Sequence, residues 1–340
     1  MVADGKIVLL TNYRATTLNS MSNNKYRVFI DGAVGTTGLQ IADRLQNHPS
    51  VALVEIDAED RKDADKKKAL MTSVDLTFLC LPDAAAIEAA KLASDAGCRV
   101  IDASSAHRCA EGWVYGLPEL NRGQRDDIAN ARFVANPGCY STAALLLIRP
   151  LIQANILSAD SPVHITGYSG YSGGGNQMIN SYQGDNAPSG CALYGLDFKH
   201  KHIPEIAKWT GLTIRPSFTP CIVNSLQGML VTIALHRSLL NCDVTELRSR
   251  YMDYYAHEQF VNVNETMQEP GGNFQTIEGL GNSNQCQLSV HCNAEYGQAL
   301  LVAKLDNLGK GASGAAVQNM NIMLGLPEEI GVSLVKGIKG

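Results

Sequence analysis

The amino-acid sequence predicts an α/β fold in two parts: a doubly wound parallel sheet, then an α+β part built on a mostly antiparallel sheet. Two observations carry the first part. Short β-type runs alternate with helical stretches between Tyr26 and Ala135, the rhythm of parallel strands joined by right-handed crossovers. The first strand–helix turn also holds Gly32, Gly35 and Gly38, three glycines three apart. The second part rests on the β-rich runs Leu226–Leu235, Gln285–His291 and Gln298–Leu305, with one helical stretch, Val244–Tyr255, to cover them.

Each element has a local reason. Tyr26–Asp31 is a short β-type run ending at Gly32, and an amphipathic pattern continues through Leu45. Gly32 permits the turn, Gly35 lets the backbone approach a pyrophosphate, and Gly38 allows the helix to pack closely on its strand. Thr36 and Thr37 then fall at the helix N-terminus, which favours an anion. Strands follow at Val51–Ile56, Val74–Cys80, Arg99–Ala103 and Arg132–Ala135, with helices at Ala64–Leu70 and Ala84–Asp95. Residues 26–138 are therefore expected to form a Rossmann-type dinucleotide-binding domain. Residues 139–307 are expected to form a catalytic and oligomerisation domain. Gly311–Gly325 reads as a helix with alanines on one face, suited to close packing on the first domain, so residues 308–340 are counted with that domain. Residues 1–25 read as an N-terminal extension, disordered or preceding a start at Met21, with no secretory pattern.

Cofactor choice turns on the end of the second strand. Asp57 suits a ribose hydroxyl and hence NAD, whereas Arg61 and Lys62 suit a 2′-phosphate. The reading favours NADP(H), with Arg61 as the phosphate partner.

Composition removes several classes. The chain has 340 residues and a net charge of −5, with no long basic tract, so nucleic acid is not an expected partner. No apolar run reaches the roughly 18 residues that a membrane span requires. Nine cysteines without CxxC pairs point to free thiols in a reducing compartment, the cytoplasm.

The chemistry-bearing motifs lie at the ends of strands. Asn136-Pro137-Gly138-Cys139-Tyr140 puts a cysteine after a tight turn and at the mouth of the helical run Thr142–Ile152. A thiol there sits beside unpaired N–H groups and the positive end of the macrodipole, which favour the nucleophilic thiolate. By spacing alone Cys139 reads equally as a buried small hydrophobe. Residues 199–206, Lys-His-Lys-His-Ile-Pro-Glu-Ile, hold His200, His202 and Glu205. A histidine can carry a proton near neutral pH, and a carboxylate three residues on can orient it if the chain turns helically after Pro204. The same cluster reads as a wet surface. His200, His202, His291 and Cys292 lack a recognised ligand spacing, so no metal is expected. Ser169-Gly170-Tyr171-Ser172 with Gly173–Gly175 can form a backbone nest for an anion such as phosphate, or a flexible loop. Ser105 and Arg108 close the fourth strand, where open α/β sheets bind ligands, and Arg108 can clamp a carboxylate or phosphate.

Taken together these motifs resemble a known family. Asn136–Tyr140, Gly32…Gly35…Gly38, Tyr115-Gly116-Leu117-Pro118-Glu119-Leu120, His202-Ile203-Pro204-Glu205-Ile206 and Ala316-Val317-Gln318-Asn319 occur in the order found in the N-acetyl-gamma-glutamyl-phosphate reductase family. Residues 102–108 and 169–175 are similar to its type 2 branch. The resemblance implies a semialdehyde-dehydrogenase-like fold and the NADPH-dependent reduction of N-acetyl-L-glutamyl 5-phosphate to the 5-semialdehyde, with release of phosphate, in arginine biosynthesis. It implies Cys139 as the nucleophile that forms a thioester, His202 as general acid–base and Glu205 as its partner or a substrate ligand. Cys80, Leu81 and Pro82 would line the cofactor, and Asn319 would meet the nicotinamide amide. A homodimer or homotetramer is implied as well. Two positions depart from the family pattern. Ser141 stands where proline is frequent, and Asn176 follows the triple glycine where type 2 members tend to carry lysine.

His200 competes with His202 for the base. Aspartate-semialdehyde dehydrogenase, or a lysine-pathway acyl-phosphate reductase, would share the thiol, cofactor and fold. A non-catalytic NADP-binding redox sensor is the alternative of another class.

Overall fold

The computed structural model describes residues 25–185, 187–264 and 274–332. The expected N-terminal extension lies, but for Lys25, outside them. A parallel sheet of six strands comes first. Its strands are β1 (Tyr26–Asp31), β2 (Val51–Val54), β3 (Leu76–Leu79), β4 (Arg99–Asp102), β5 (Val114–Tyr115) and β6 (Phe133–Ala135). They lie in the order β2-β1-β3-β4-β6-β5, so the order in which strands are added across the sheet reverses between β1 and β3. That switch point is where open α/β sheets hold ligands.

Helices α1 (Thr36–Gln46), α2 (Ala64–Thr72), α3 (Asp83–Asp95) and α4 (Gln124–Asn130) join these strands. The sheet strands are shorter than their apolar runs: Ile56, Val74 and Ala103 fall outside the ladder. Strand β5 has two residues, too few to leave an alternating pattern in the sequence.

The second sheet has seven strands in the order β11-β12-β13-β10-β7-β9-β8. They are β7 (His164–Gly170), β8 (Ala192–Leu193), β9 (Ser217–Val223), β10 (Met229–His236), β11 (Val261–Val263), β12 (Cys286–Asn293) and β13 (Gln298–Leu305). Two pairings, β7 with β9 and β11 with β12, are parallel; the other four are antiparallel. Helix α5 (Cys139–Gln153) lies on one face of this sheet, and its apolar residues join those of β10, β12 and β13 in the largest core. Around it run α6 (Gly175–Gln183), α7 (Ile203–Thr210) and α8 (Leu247–Tyr254).

The chain then returns to the first sheet. A π-turn at Gly309–Ser313 leads into α9 (Gly314–Met323), whose Ala316, Val317 and Met320 share a core with Val28, Ile41 and Val134. Helix α9 is buried all round.

A buried ion pair fastens this return. Lys310 in the π-turn donates to Glu119 Oε1 at 2.7 Å and to Gln318 Oε1 at 2.8 Å, and both charged side chains are fully buried. Burial pushes the Glu119 carboxyl up, but Lys310, Arg125 and Gln318 together hold it below its ordinary range. Removing one member of such a pair leaves an unmatched charge in the core. Lys310→Met should therefore lower the urea unfolding free energy by about 3–5 kcal/mol. Adding Glu119→Leu should recover most of that loss; equal stability of the single variant and the native chain would refute the pair's role.

Candidate active site

Cys139 is the first residue of α5, reached from β6 through Asn136, Pro137 and Gly138. The helix thus starts three residues earlier than the apolar run beginning at Thr142. Gly138 is the N-cap and is required by close approach: a Cβ there would lie 2.6 Å from both Arg108 Nη1 and Glu205 Oε1 and would collide with His202 Nε2. The absence of a side chain is what lets the cysteine turn lie against α7.

The helix end does not by itself activate the thiol. Burial pushes Cys139 up to about 11, against the opposing pull of the Tyr140 backbone N–H, Arg108 and Lys201. The dipole and the cations act in the direction read from the sequence, but desolvation is larger.

His202 caps α7, with Pro204 in the first turn and Glu205 three residues on. Its Nε2 is 4.0 Å from Glu205 Oε1, and its Nδ1 is buried without a hydrogen-bond partner. Burial, then Arg108, His200 and Lys201, hold its pKa well below the usual value. His200 is lowered to about 4 by burial, Lys201 and Arg108. Its Nδ1 accepts from the His202 N–H at 3.2 Å, and its Nε2 lies 3.5 Å from the Tyr194 hydroxyl. Both nitrogens of His200 thus have protein partners, whereas the ring of His202 keeps an unused nitrogen.

Glu205 is almost wholly buried. It accepts from Arg108 Nη1 at 2.8 Å, from the Tyr115 hydroxyl at 2.7 Å and from the Gly138 N–H at 3.2 Å. Its short contacts therefore go to these groups rather than to His202. Arg108 also donates to the Asn136 carbonyl at 3.0 Å and to the Ala103 carbonyl at 3.3 Å.

Cys139, His200, His202, Arg108 and Lys201 border one cavity of about 310 Å³. Its other walls are Ser169, Gly170, Ser172 and Gly173–Gly175, with Thr36 and Thr37 from the start of α1. The segment read as a nest or flexible loop is thus the end of β7, a 3-10 turn and the N-terminus of α6. Three catalytic or substrate-binding residues singled out in the sequence do not line it: Glu205, which lies behind Arg108 and Gly138, Ser105 and Tyr171. Ser105 donates to Asp83 from its N–H and hydroxyl at 2.9 and 2.7 Å, and Tyr171 stacks on Tyr182 at 4.9 Å. Tyr115, Asn307 and Lys201 were missed as site residues. Asn307 lines the cavity and donates to the Ser172 hydroxyl at 2.9 Å.

A second cavity, about 570 Å³, lies over the β1–α1 turn. Gly32 has φ +93°, and a Cβ there would collide with the Cys80 carbonyl oxygen. Gly35 caps α1, and Gly38 is buried in its first turn. Arg61, Lys62 and Lys67 line this cavity, Lys67 paired with Asp31 at 2.8 Å; Leu81 closes it, and Asp57 is not on its wall. Pro82 caps α3. Asn319 is fully buried and donates to the Gly116 carbonyl at 2.8 Å, while its Oδ1 has no partner. A glycine turn at a helix end and a cationic rim fit a dinucleotide carrying a phosphate, whereas Asn319 lines neither cavity. Among the described residues no group of three or more His, Cys, Asp or Glu could hold a metal.

Fold and site together define a semialdehyde-dehydrogenase-type oxidoreductase. Residues 27–131 match the semialdehyde dehydrogenase NAD-binding domain, and residues 139–307 match the semialdehyde dehydrogenase dimerisation domain. The N-acetyl-gamma-glutamyl-phosphate reductase of Trichormus variabilis is 47% identical over 322 residues, 91% of this chain and 100% of the relative. That of Burkholderia orbicola is 46% identical over 303 residues, 88% of this chain and 97% of the relative. The chain belongs to the N-acetyl-gamma-glutamyl-phosphate reductase family, NADP(H)-dependent oxidoreductases of arginine biosynthesis. Solved structures share the fold at low identity. Aspartate semialdehyde dehydrogenase II of Vibrio cholerae has a TM-score of 0.67 at 17% identity, covering 88% of this chain and 98% of its own. The Candida albicans enzyme, solved with NADP, has a TM-score of 0.63 at 15% identity, covering 88% and 99%.

The elevated thiol pKa has a direct readout. In the substrate-free protein, iodoacetamide should label Cys139 slowly at pH 7, with the rate rising toward a midpoint near 11. Site-resolved mass spectrometry follows it, with exposed Cys191 as internal reference. Fast labelling that is flat above pH 7 would mean a resident thiolate instead.

Proposed function

We propose that this protein performs its family's reaction, reduction of N-acetyl-L-glutamyl 5-phosphate to the 5-semialdehyde with release of phosphate, through a thioester on Cys139. The observation that carries the proposal is the convergence of Cys139, His202 and the Gly173–Gly175 turn on one cavity that also reaches Thr36 and Thr37.

Neutral thiol and neutral imidazole are the resting forms, since burial raises one pKa and lowers the other. Proton transfer from Cys139 to His202 then creates the thiolate at the moment of attack. The sulfur bonds to the acyl carbon, the carbon–oxygen bond to phosphate breaks, and phosphate departs. Bound NADPH supplies the hydride that reduces the acyl carbon. His202 gives its proton to the carbonyl oxygen, takes it back as the carbon–sulfur bond breaks and the aldehyde leaves, and then returns it to the Cys139 thiolate, restoring the thiol. Glu205 acts at one remove. It holds Arg108 and the Gly138 N–H, and so fixes the turn that carries Cys139.

Arg108, Ser169, Gly170 and Ser172 would bind substrate from the cavity wall, and Arg61 with Lys62 would bind the 2′-phosphate of NADP(H); their lining the two cavities supports this reading. Cys80 and Leu81 border the cofactor turn. A homodimer or homotetramer is supported by the dimerisation-domain match. The sheet face opposite α5 supports it too, since it leaves Tyr168, Ala234 and Leu300 exposed. Nine free thiols support a cytoplasmic setting, and no described helix is long and apolar enough to cross a membrane.

The test is phosphate-dependent reduction of NADP with N-acetylglutamate semialdehyde, set against aspartate semialdehyde. Turnover only of the latter would sink the proposal. Cys139→Ser should abolish turnover while the NADPH Kd stays within about twofold. His202→Asn should lower kcat about 10²–10⁴-fold. His200→Asn should have a much smaller effect, and the reverse ranking would move the base to His200.

A further inference from the structure

Two cations border the Cys139 cavity, and their surroundings differ. Arg108 is held on three sides, by the Glu205 carboxylate at 2.8 Å and by the Asn136 and Ala103 carbonyls. Its charge is matched by Glu205. Lys201 lines the same cavity, is exposed, and makes no hydrogen bond or ion pair with any described residue.

Its backbone, by contrast, is fixed. The His202 N–H donates to His200 Nδ1 at 3.2 Å, and the Ile203 N–H to the His200 carbonyl at 3.0 Å. This turn sets His200, Lys201 and His202 on one wall. The Lys201 charge acts on Cys139, His200, His202 and Asp83. Asp83 already has both carboxylate oxygens bonded by Ser105.

The same cavity is walled by the start of α6. Gly174 caps that helix without a side chain, and its first turn holds no acidic residue. Asn176 in that turn is neutral, and its Oδ1 accepts from the Thr36 hydroxyl at 2.8 Å. The Gly175 N–H is bonded to the Ser172 carbonyl, so helix α6 brings the positive end of its dipole to the cavity but no cation. A doubly charged phosphate next to Cys139 needs a mobile cation as well, and Lys201 is the one available with no carboxylate bonded to it among the described residues.

We propose that Lys201 and the N-terminal turn of α6 form a phosphate subsite beside Cys139, with Lys201 setting the affinity for phosphate. The subsite rests on the acyl-phosphate reading above: it holds the phosphoryl group before attack and inorganic phosphate in the reverse direction. The flexible ammonium supplies a point charge with rotatable donors, which suits a group that must bind and then leave.

The decisive experiment follows NADP reduction at varied inorganic phosphate with N-acetylglutamate semialdehyde, for the native protein, Lys201→Met and Lys201→Arg. Lys201→Met should raise the phosphate KM about tenfold or more. The KM values for semialdehyde and NADP should move less than about twofold, and Lys201→Arg should restore most of the phosphate affinity. An unchanged phosphate KM in Lys201→Met overturns the subsite. If the native protein does not turn over this semialdehyde, the functional reading falls instead, and the subsite is judged by labelling. Inorganic phosphate, against chloride at equal ionic strength, should then protect Cys139 from iodoacetamide in the native protein and Lys201→Arg but not in Lys201→Met. Equal protection in all three, or none beyond chloride, overturns it.

Discussion

One buried carboxylate holds the catalytic geometry. Glu205 on α7 reaches Arg108 beyond β4, Tyr115 on β5 and the Gly138 N–H just before Cys139. Three segments of the first sheet's edge and one helix of the second part are thereby fixed about a single side chain. Each bond involves a group that would cost free energy if left unmade in a buried place. Glu205 also explains the glycine at 138, since a methyl group there would push the carboxylate, Arg108 and His202 apart together. The cysteine's position is thus a consequence of the carboxylate's.

The electrostatics follow from the same burial. A dry site raises the thiol and lowers both histidines, so the resting cluster of Cys139, His200 and His202 carries little charge of its own. The ionic pair Arg108–Glu205 balances internally. Lys201 apart, charge is then introduced by ligands rather than stored at the reacting groups. Such a site protects its thiol from stray electrophiles, with two histidines on the same cavity wall.

The parallel sheet was legible because its strands and helices alternate with glycine at the first turn. The second sheet was legible only in part. Strand β9 contains Pro220, which argues against a strand by local rules, yet it pairs parallel with β7 and antiparallel with the two-residue β8. Its proline is tolerated near a sheet edge. At the site, Cys139 and His202 stood out because turn and helix signals surround them. The partner of Arg108 did not, for Glu205 lies 97 residues away. Ser105 misled in the other direction: its motif lies at the right strand end, but its side chain faces Asp83. The thiol's pKa was misjudged for a related reason. Dipole and charge are local and can be read from a motif, whereas desolvation is the sum of everything that folds around it.

Three helices meet at the cavity with the same beginning. α1, α5 and α6 start from Gly35, Gly138 and Gly174, none has a side-chain cap, and none has an acidic residue in its first turn. Side-chain caps are rare among the described α-helices, Asp63 at the start of α2 being the exception, but a glycine start without an acidic first turn is found only at these three. A side-chain cap stabilises a helix by about 0.5–2 kcal/mol, so leaving three open at one place has a cost. The orphan N–H groups are instead available to anions, and they come from both halves of the protein, linked where Thr36 bonds Asn176. Backbone dipoles cannot be neutralised by a neighbouring carboxylate as a lysine can. A site built this way keeps its attraction for phosphate groups while holding few charged side chains, which is also what allows Cys139 to rest as a neutral thiol.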